Sequence, residues 1–271
     1  MTDAAPAPRF GAADLHLHTS HGDGMVDAPA LLDHIESRTD LDVIAITDHD
    51  DIRGALIARE HHAAGSYRFE LVTGLELTTR SGHLLALYVD VPLAPLRPLA
   101  ETIAAIHRAG GLAVIPHPMS YLTRSIGQRA LESVLALHDP EVTPDAIELA
   151  NPSPAGRVTA QKATRLNREQ YHLAETGSSD THFPEEAGTA RTLFPGHSVD
   201  GHGAEALRDA IRARTTRALM LQPVSLRSIG LRRLAAQQVR GLATTPREVA
   251  RYQWRRLRGQ HDEAQGIEAT R

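Results

Sequence analysis

Apolar runs of four to six residues recur along the chain, and most end abruptly in a cluster of histidine, aspartate, glutamate or glycine. Short apolar runs bounded by turn-forming or charged residues predict strands. The candidates are 14–18, 42–47, 70–75, 83–89, 112–117, 145–149 and 172–178. Between most of them, apolar positions return every three or four residues, the spacing of one helical face. This predicts helices over 28–38, 52–64, 96–109, 125–137 and 154–168. Strands alternating with helices are the pattern of βα units around a mostly parallel sheet, and about seven strands favour a barrel or distorted barrel over an open sheet.

Beyond Pro223 the pattern changes. Residues 226–258 carry nine arginines and one glutamate in two helix-like stretches separated by Thr244-Thr245-Pro246. There Thr245 would cap the second helix and Pro246 would occupy its first turn. We therefore separate a main domain over 1–222 from a basic helical C-terminal extension over 223–271. One reading packs Leu226, Ile229, Leu231, Leu234, Val239 and Leu242 onto the domain and leaves the arginines solvated. The other uses the arginines as a basic patch for an anionic partner, a short nucleic acid or a membrane surface.

Composition narrows the chemistry. The chain of 271 residues, 41% hydrophobic, can bury a substantial core, and its net charge of -4 provides no whole-molecule attraction for nucleic acid or membranes. It contains no cysteine, so any metal must be held by imidazole and carboxylate. The leader MTDAAPAPRFGAA lacks a basic stretch followed by an apolar core, and no run of about 18 apolar residues occurs. The expectation is a soluble, cytoplasmic protein with no membrane span.

The candidate ligands sit at the strand ends. In ADLHLHTSHGDG, His16 and His18 are two residues apart on a strand and project to one face, with Leu15 and Leu17 facing the opposite way. DVIAITDHDD ends in Asp48, His49, Asp50 and Asp51; Asp50 or Asp51 would cap the helix that follows, leaving Asp48 and His49 for a site. TGLELTT supplies Glu76, SGHLLALYV supplies His83, GLAVIPHP supplies His117, and HLAETGSSDTH supplies Asp180 and His182. Functional loops gather at the C-terminal rim of a parallel barrel. Nine such ligands exceed one tetrahedral ion, whereas two or three Zn, Mn or Fe ions sharing a bridging carboxylate account for the number.

The ordered succession DLHLHT, ITDHD, GLE with a downstream histidine, HP and SSDTH resembles the PHP family, named for its polymerase and histidinol phosphatase members. The likeness spans Asp14 to about Gly188, and lies nearest to stand-alone bacterial metal-dependent phosphoesterases. It implies a distorted (β/α)7 barrel with a trinuclear metal site. It assigns His16, His18, Glu76 and Asp180 to the first ion, Glu76 as a bridge with His83 and His117 to the second, and Asp23, His49 and His182 to the third. Asp48 would orient a ligating imidazole through its other ring nitrogen. Where the family usually has a small residue before Asp-Gly, this chain has His21-Gly22-Asp23-Gly24, so His21 competes with Asp23. The remaining histidines match no motif and are read as surface or core residues.

Clustered divalent ions imply hydrolysis of phosphate esters by metal-bound hydroxide, with small phosphorylated molecules, nucleotides or short oligonucleotides as substrates. Arg124 and Asn151 are candidate substrate contacts. No serine-hydrolase elbow, Walker loop or dinucleotide fingerprint occurs in a credible context. The alternatives are a hydrolase of a non-phosphate ester or amide on the same scaffold, a histidinol-phosphate-type phosphatase, and a non-catalytic module that binds nucleic acid through the basic tail.

Overall fold

The computed structural model describes residues 10–196, 202–221 and 229–257. Nine strands form one sheet: β1 (Phe10–Leu17), β2 (Val43–Ile46), β3 (Glu70–Thr78), β4 (His83–Leu87), β5 (Leu112–Ile115), β6 (Ala146–Ala150), β7 (Ala174–Gly177), β8 (Ala190–Pro195) and β9 (Arg217–Met220). The helices are α1 (Ala28–Arg38), α2 (Arg53–Ala64), α3 (Leu99–Arg108), α4 (Gln128–Leu135), α5 (Pro154–Arg157), α6 (Ala160–Leu166), α7 (Gly203–Arg212) and α8 (Leu231–Leu257). Local chemistry sets their ends: the Asp27 carboxylate accepts the Ala30 amide to start α1, and Pro98 precedes α3, which buries Leu99, Thr102, Ile103 and Ile106 along one face.

The strand order is β7-β6-β5-β4-β3-β2-β1-β8-β9, a nearly closed barrel. Beyond β7 the chain pairs with the end of β1, where the His18 amide donates to the Thr181 carbonyl (2.9 Å) and the Thr181 amide to the His16 carbonyl (3.2 Å). On the same side the Thr192 hydroxyl of β8 bridges the amide and carbonyl of Gly177, each at 3.0 Å.

The expected seven strands are present, but the sheet is mixed rather than mostly parallel. Four of its eight pairings are antiparallel, namely β3 with β4, β4 with β5, β1 with β8 and β8 with β9. Only residues 79–82 link β3 to β4, far short of the dozen that a parallel crossover needs. Strands β8 and β9 and helix α7 lie outside the expected elements. The single helix expected over 154–168 breaks at Val158–Thr159, where the Thr159 hydroxyl donates to the Pro118 carbonyl (2.7 Å).

Alternation along the strands sorts the core into two layers. Ile44, Ile46, Leu75, Leu77, Leu84 and Ile147 pack outward with the helices. Val43, Ala45, Val72, Leu85, Leu87 and Ala146 fill the interior. Glu76 shares its strand face with Val72, His83 with Leu85 and Leu87, and Glu148 with Ala146. The interior is therefore apolar toward the strand starts and polar toward their ends. At the apolar end Glu70, the first residue of β3, accepts the amides of Gly203 and Ala204 at the start of α7. Leu207, Ala210 and Ile211 of that helix then join the interior cluster. One expectation is corrected in β1. Its register shifts between Asp14 and Leu17, so Leu15 joins the interior layer and only Leu17 the outer one.

The basic segment also differs from expectation. Helix α8 runs unbroken through Pro246, so Thr245 and Pro246 start no second helix; proline removes one amide donor there, and the helix continues past it. Of the apolar residues expected to pack inward, Ile229 is buried and Leu234 half-buried, while Leu231, Val239 and Leu242 are exposed. Leu226, His197, His261 and the 222/223 boundary lie outside the described residues. Among the described residues no helix is long and apolar enough to cross a membrane.

Candidate metal centre

The strand ends bring His16, His18, Asp23, His49, Glu76, His83, His117, Asp180 and His182 into one cluster. His16 Nε2 lies 3.3 Å from Glu76 Oε2 and 3.4 Å from Asp180 Oδ1. His18 Nε2 lies 3.5 Å and 3.4 Å from the same two oxygens. Glu76 reaches two ways: Oε2 is 3.0 Å from His49 Nδ1, while Oε1 is 2.9 Å from His83 Nδ1 and 3.1 Å from His117 Nε2. Asp23 Oδ2 is 3.2 Å from His182 Nε2. Donor atoms within 4.8 Å of one another form four overlapping groups: His18, Asp23, His49, His182; His16, His117, Asp180; His16, His18, Glu76; and His49, Glu76, His83.

Hydrogen bonding on the far side of the rings shows what the cluster needs. The Ser125 hydroxyl donates to the His117 carbonyl, so its oxygen is left to accept from His117 Nδ1 (both 2.8 Å). His182 Nδ1 donates to the Asp180 carbonyl (2.9 Å), and His16 Nδ1 faces Glu148 Oε1 (3.3 Å). Each ring thus spends its proton away from the cluster and turns a lone pair on Nε2 toward carboxylate oxygens, which are also acceptors. Acceptors facing acceptors in a buried site repel unless cations lie between them. His16 Nε2, both ring nitrogens of His18 and His83, His49 Nδ1 and Asp23 Oδ1 are buried without a hydrogen-bond partner among the described residues. The spacing suits metal as well: bonds of about 2.0–2.2 Å in a tetrahedron put ligand atoms roughly 3.3–3.6 Å apart, matching the contacts of His16 and His18 with Glu76 and Asp180. The residues therefore fit divalent ions.

Titration follows the same electrostatics. Burial acts against charge on His182, yet the Asp23 carboxylate pushes its pKa up to about 10. Burial and the neighbouring His182 push His18, stacked 4.4 Å from it, down to about 4. Burial would raise Asp23 and Glu76, but the surrounding imidazoles hold both well below the usual carboxylate range. The carboxylates accordingly draw positive charge into the cluster, whether a proton on His182 or a metal ion in its place. Backbone strain contributes to the placement: His117 (φ 29°) and Asp180 (φ 54°) are held in left-handed conformations.

Three expectations meet different surroundings. Among the described residues Asp48 has no imidazole partner; its oxygens receive the Thr19 amide (2.6 Å) and hydroxyl (2.5 Å), and burial pushes it up to about 7. It fixes the loop after β1 that carries Asp23. Glu148 fills the orienting role instead, since besides His16 it accepts the His117 amide (2.7 Å) and the Asn151 side-chain amide (2.8 Å). Reasoning from sequence passed over Glu148, whose signal was a lone carboxylate inside the apolar run AIELA. Asn151 is buried and links Glu148 to Asp180 Oδ2 (3.3 Å). The ring of His21 has no place in the metal-binding groups, and its carbonyl accepts from Arg247 (3.0 Å). Of Asp50 and Asp51, the latter accepts the Arg53 amide at the start of α2 (3.0 Å).

Above the cluster opens a cavity of about 1000 Å³. Asp23, His49, Glu76, His83 and Asp180 form its floor; Tyr121, Leu122, Arg124 and Arg157 line one side, and Leu234, Gln237, Gly241 and Leu242 of α8 another. The expectation of solvated arginines on the C-terminal segment is corrected here for Arg233, Arg240 and Arg251. Arg233 pairs with Glu185 (2.8 and 3.1 Å), Arg240 donates to the Ser20 carbonyl (2.9 Å), and Arg251 lies 3.6 Å from Asp51.

Comparison with known proteins agrees with this arrangement. Residues 161–216 match the family described as PHP-associated. Protein MJ1587 of Methanocaldococcus jannaschii, itself uncharacterised, is 33% identical over 134 residues, covering 44% of this chain and 75% of that protein. A 5'-3' exoribonuclease of Haemophilus influenzae is 29% identical over 134 residues, 48% of this chain and 46% of the enzyme, so the chain spans under half of that relative. Among solved structures, a two-domain protein of Bacteroides vulgatus containing a PHP-like metal-dependent phosphoesterase superposes with a TM-score of 0.59 at 19% identity, covering 86% of this chain and 70% of that one. PsfC of Pseudomonas syringae superposes with a TM-score of 0.58 at 20% identity, covering 87% and 99%. Motif order, barrel and relatives converge, and the chain belongs to the PHP family.

Proposed function

We propose that this phosphoesterase hydrolyses nucleotides or the ends of short oligonucleotides at a site of three divalent ions, Mn, Fe or Zn, held by His16, His18, Asp23, His49, Glu76, His83, His117, Asp180 and His182. The observation that carries the reading is the floor of the cavity, where imidazoles and carboxylates converge while His16 Nε2, both ring nitrogens of His18 and His83, His49 Nδ1 and Asp23 Oδ1 have no hydrogen-bond partner among the described residues. When bound, the ions neutralise charge on phosphoryl oxygens and activate water as the nucleophile. The chain's own residues do the rest. Glu148, Ser125 and the Asp180 carbonyl keep the protons of His16, His117 and His182 on Nδ1. Arg124 and Arg157 at the cavity wall receive the anionic end of the substrate.

The substrate class follows from size and lining. About 1000 Å³ is the upper end of small-molecule sites and admits a nucleotide or a short oligonucleotide end. Tyr121, 76% exposed beside the exposed Leu122, offers an apolar face to a base. Two relatives named as 5'-3' exoribonucleases support the same class. The test is a screen of phosphate mono- and diesters, including mononucleotides and 5'-phosphorylated oligoribonucleotides, with Mn, Fe and Zn supplied singly. Turnover of nucleotide esters abolished by chelator is expected; turnover of carboxylic esters alone would overturn the reading.

A further inference from the structure

Helix α8 is reversed for a surface helix. Its outward side carries Leu231 and Val239, which are 84% and 69% exposed, and Leu242 at the cavity rim is 80% exposed. The side against the barrel carries Arg233, Gln237, Arg240, Thr244, Arg247 and Arg251, spaced alternately four and three residues apart and so forming one stripe. Little apolar surface seats this helix; ion pairs and hydrogen bonds do, and two of them, from Arg240 and Arg247, land on the Ser20 and His21 carbonyls of the loop that bears Asp23.

At the centre of the stripe is Gln237, only 8% exposed. Its Nε2 donates to Asp23 Oδ2 (3.2 Å). Its Oε1 accepts from the Gln238 side chain (2.8 Å), which turns the amino end toward Asp23. One turn further on, a Cβ at Gly241 would sit 3.0 Å from the same Asp23 oxygen, so the helix backbone itself approaches the site closely. The two oxygens of Asp23 thus have separate surroundings. Oδ2 meets Gln237 and His182, while Oδ1 has no hydrogen-bond partner among the described residues and lies 3.8 Å from His18 Nδ1 and 3.9 Å from His49 Nε2. A donor fixed on Oδ2 sets the rotation of the carboxylate and with it the direction of Oδ1.

We propose that Gln237 is a positioning residue for the metal group of His18, Asp23, His49 and His182, so that the C-terminal helix is part of the metal centre rather than an appendage to it. The inference rests on the metal-site reading above. It supplies a polar partner for the outer oxygen of a ligating carboxylate, a kind of contact whose loss typically costs 10–100-fold in metal affinity.

The test uses the full chain loaded with Mn or Zn. Wild type, Gln237→Met, Gln237→Leu, Asp23→Asn and the outward-facing Val239→Ala are equilibrated against graded chelator, and retained metal is measured per chain beside a circular-dichroism melt. Both Gln237 variants are expected to release one ion at chelator concentrations 10–100-fold below those required by wild type, holding the remaining ions and the fold, with Val239→Ala matching wild type. Gln237 variants that retain every ion as wild type does, or that lose all ions together with the fold, would overturn the proposal. Asp23→Asn separates the two levels. If it releases one ion while the Gln237 variants do not, only the role of Gln237 fails; if it too retains every ion, the metal-site reading of Asp23 fails.

Discussion

Replacing Glu148 by glutamine changes one atom and should damage the metal centre without emptying the core. The carboxylate serves three donors, His16 Nδ1 on Oε1 and both the His117 amide and Asn151 Nδ2 on Oε2. Glutamine offers a single oxygen. If that oxygen takes the Oε2 place, its amino group faces His16 Nδ1, which must then accept. The ring proton moves to Nε2 and caps the lone pair that faces Glu76 and Asp180. In the opposite orientation the His117 amide and Asn151 each meet a donor, and an unsatisfied buried donor costs about 1–3 kcal/mol of stability. Loss of a ligand's outer partner typically lowers metal affinity or activity 10–100-fold, equivalent to about 1.4–2.7 kcal/mol. The assay is kcat/KM on a chromogenic phosphate ester at fixed metal, paired with retained metal per chain. A Glu148→Gln protein with kcat/KM within twofold of wild type and unchanged metal retention would refute the reasoning.

Three further outcomes are expected. His16→Ala or Asp180→Asn should lower turnover by at least about a thousandfold with the far-ultraviolet circular dichroism unchanged, since each removes a metal contact in the floor of the site; near wild-type turnover with metal supplied would contradict the assignment. Arg124→Ala should raise KM for phosphate esters about tenfold while kcat changes little, because a cation at the rim of the cavity binds ground and transition states alike; an unchanged KM removes Arg124 from substrate binding. His107 places both ring nitrogens on acceptors, Asp145 Oδ2 (2.9 Å) and the Glu141 carbonyl (2.8 Å), and the Asp145 hydrogen bond raises its pKa. Its charged form therefore contributes roughly 1 kcal/mol of stability below about pH 6.5, lost as pH climbs through the raised value. Thermal melts should show His107→Gln costing more stability at pH 6 than at pH 9, and equal costs at both would disprove the charge argument.

Much of the site was legible because its ligands stand at strand ends, where an apolar run stops at a charged cluster. His16, Glu76, His117 and Asp180 announce themselves this way. The antiparallel pairings were legible in principle, since four residues between Thr78 and His83 leave no room for a crossover helix, but alternation within a strand carries no direction. Strands β8 and β9, ARTLFP and RALM, are short and interrupted by arginine, and acquire strand structure by pairing, β8 with β1 and β9 with β8. Glu148 and Ser125 could not be placed, because their value lies in the second nitrogen of rings 132 and 8 residues away in the chain. The C-terminal helix misled most. Its leucines resemble a packing face, yet Arg233, Arg240, Arg247, Arg251 and Gln237 meet acceptors in loops distant in sequence.

The central claim is that the buried imidazoles and carboxylates exist to hold divalent ions. The most direct measurement is anomalous diffraction from crystals of the full chain soaked in Mn or Zn, with elemental analysis of the same preparation. The account predicts three peaks, one each at the groups His16–His18–Glu76–Asp180, Glu76–His83–His117 and Asp23–His49–His182. A protein that takes up no metal at these residues, and whose phosphoesterase activity is indifferent to chelator, would contradict it.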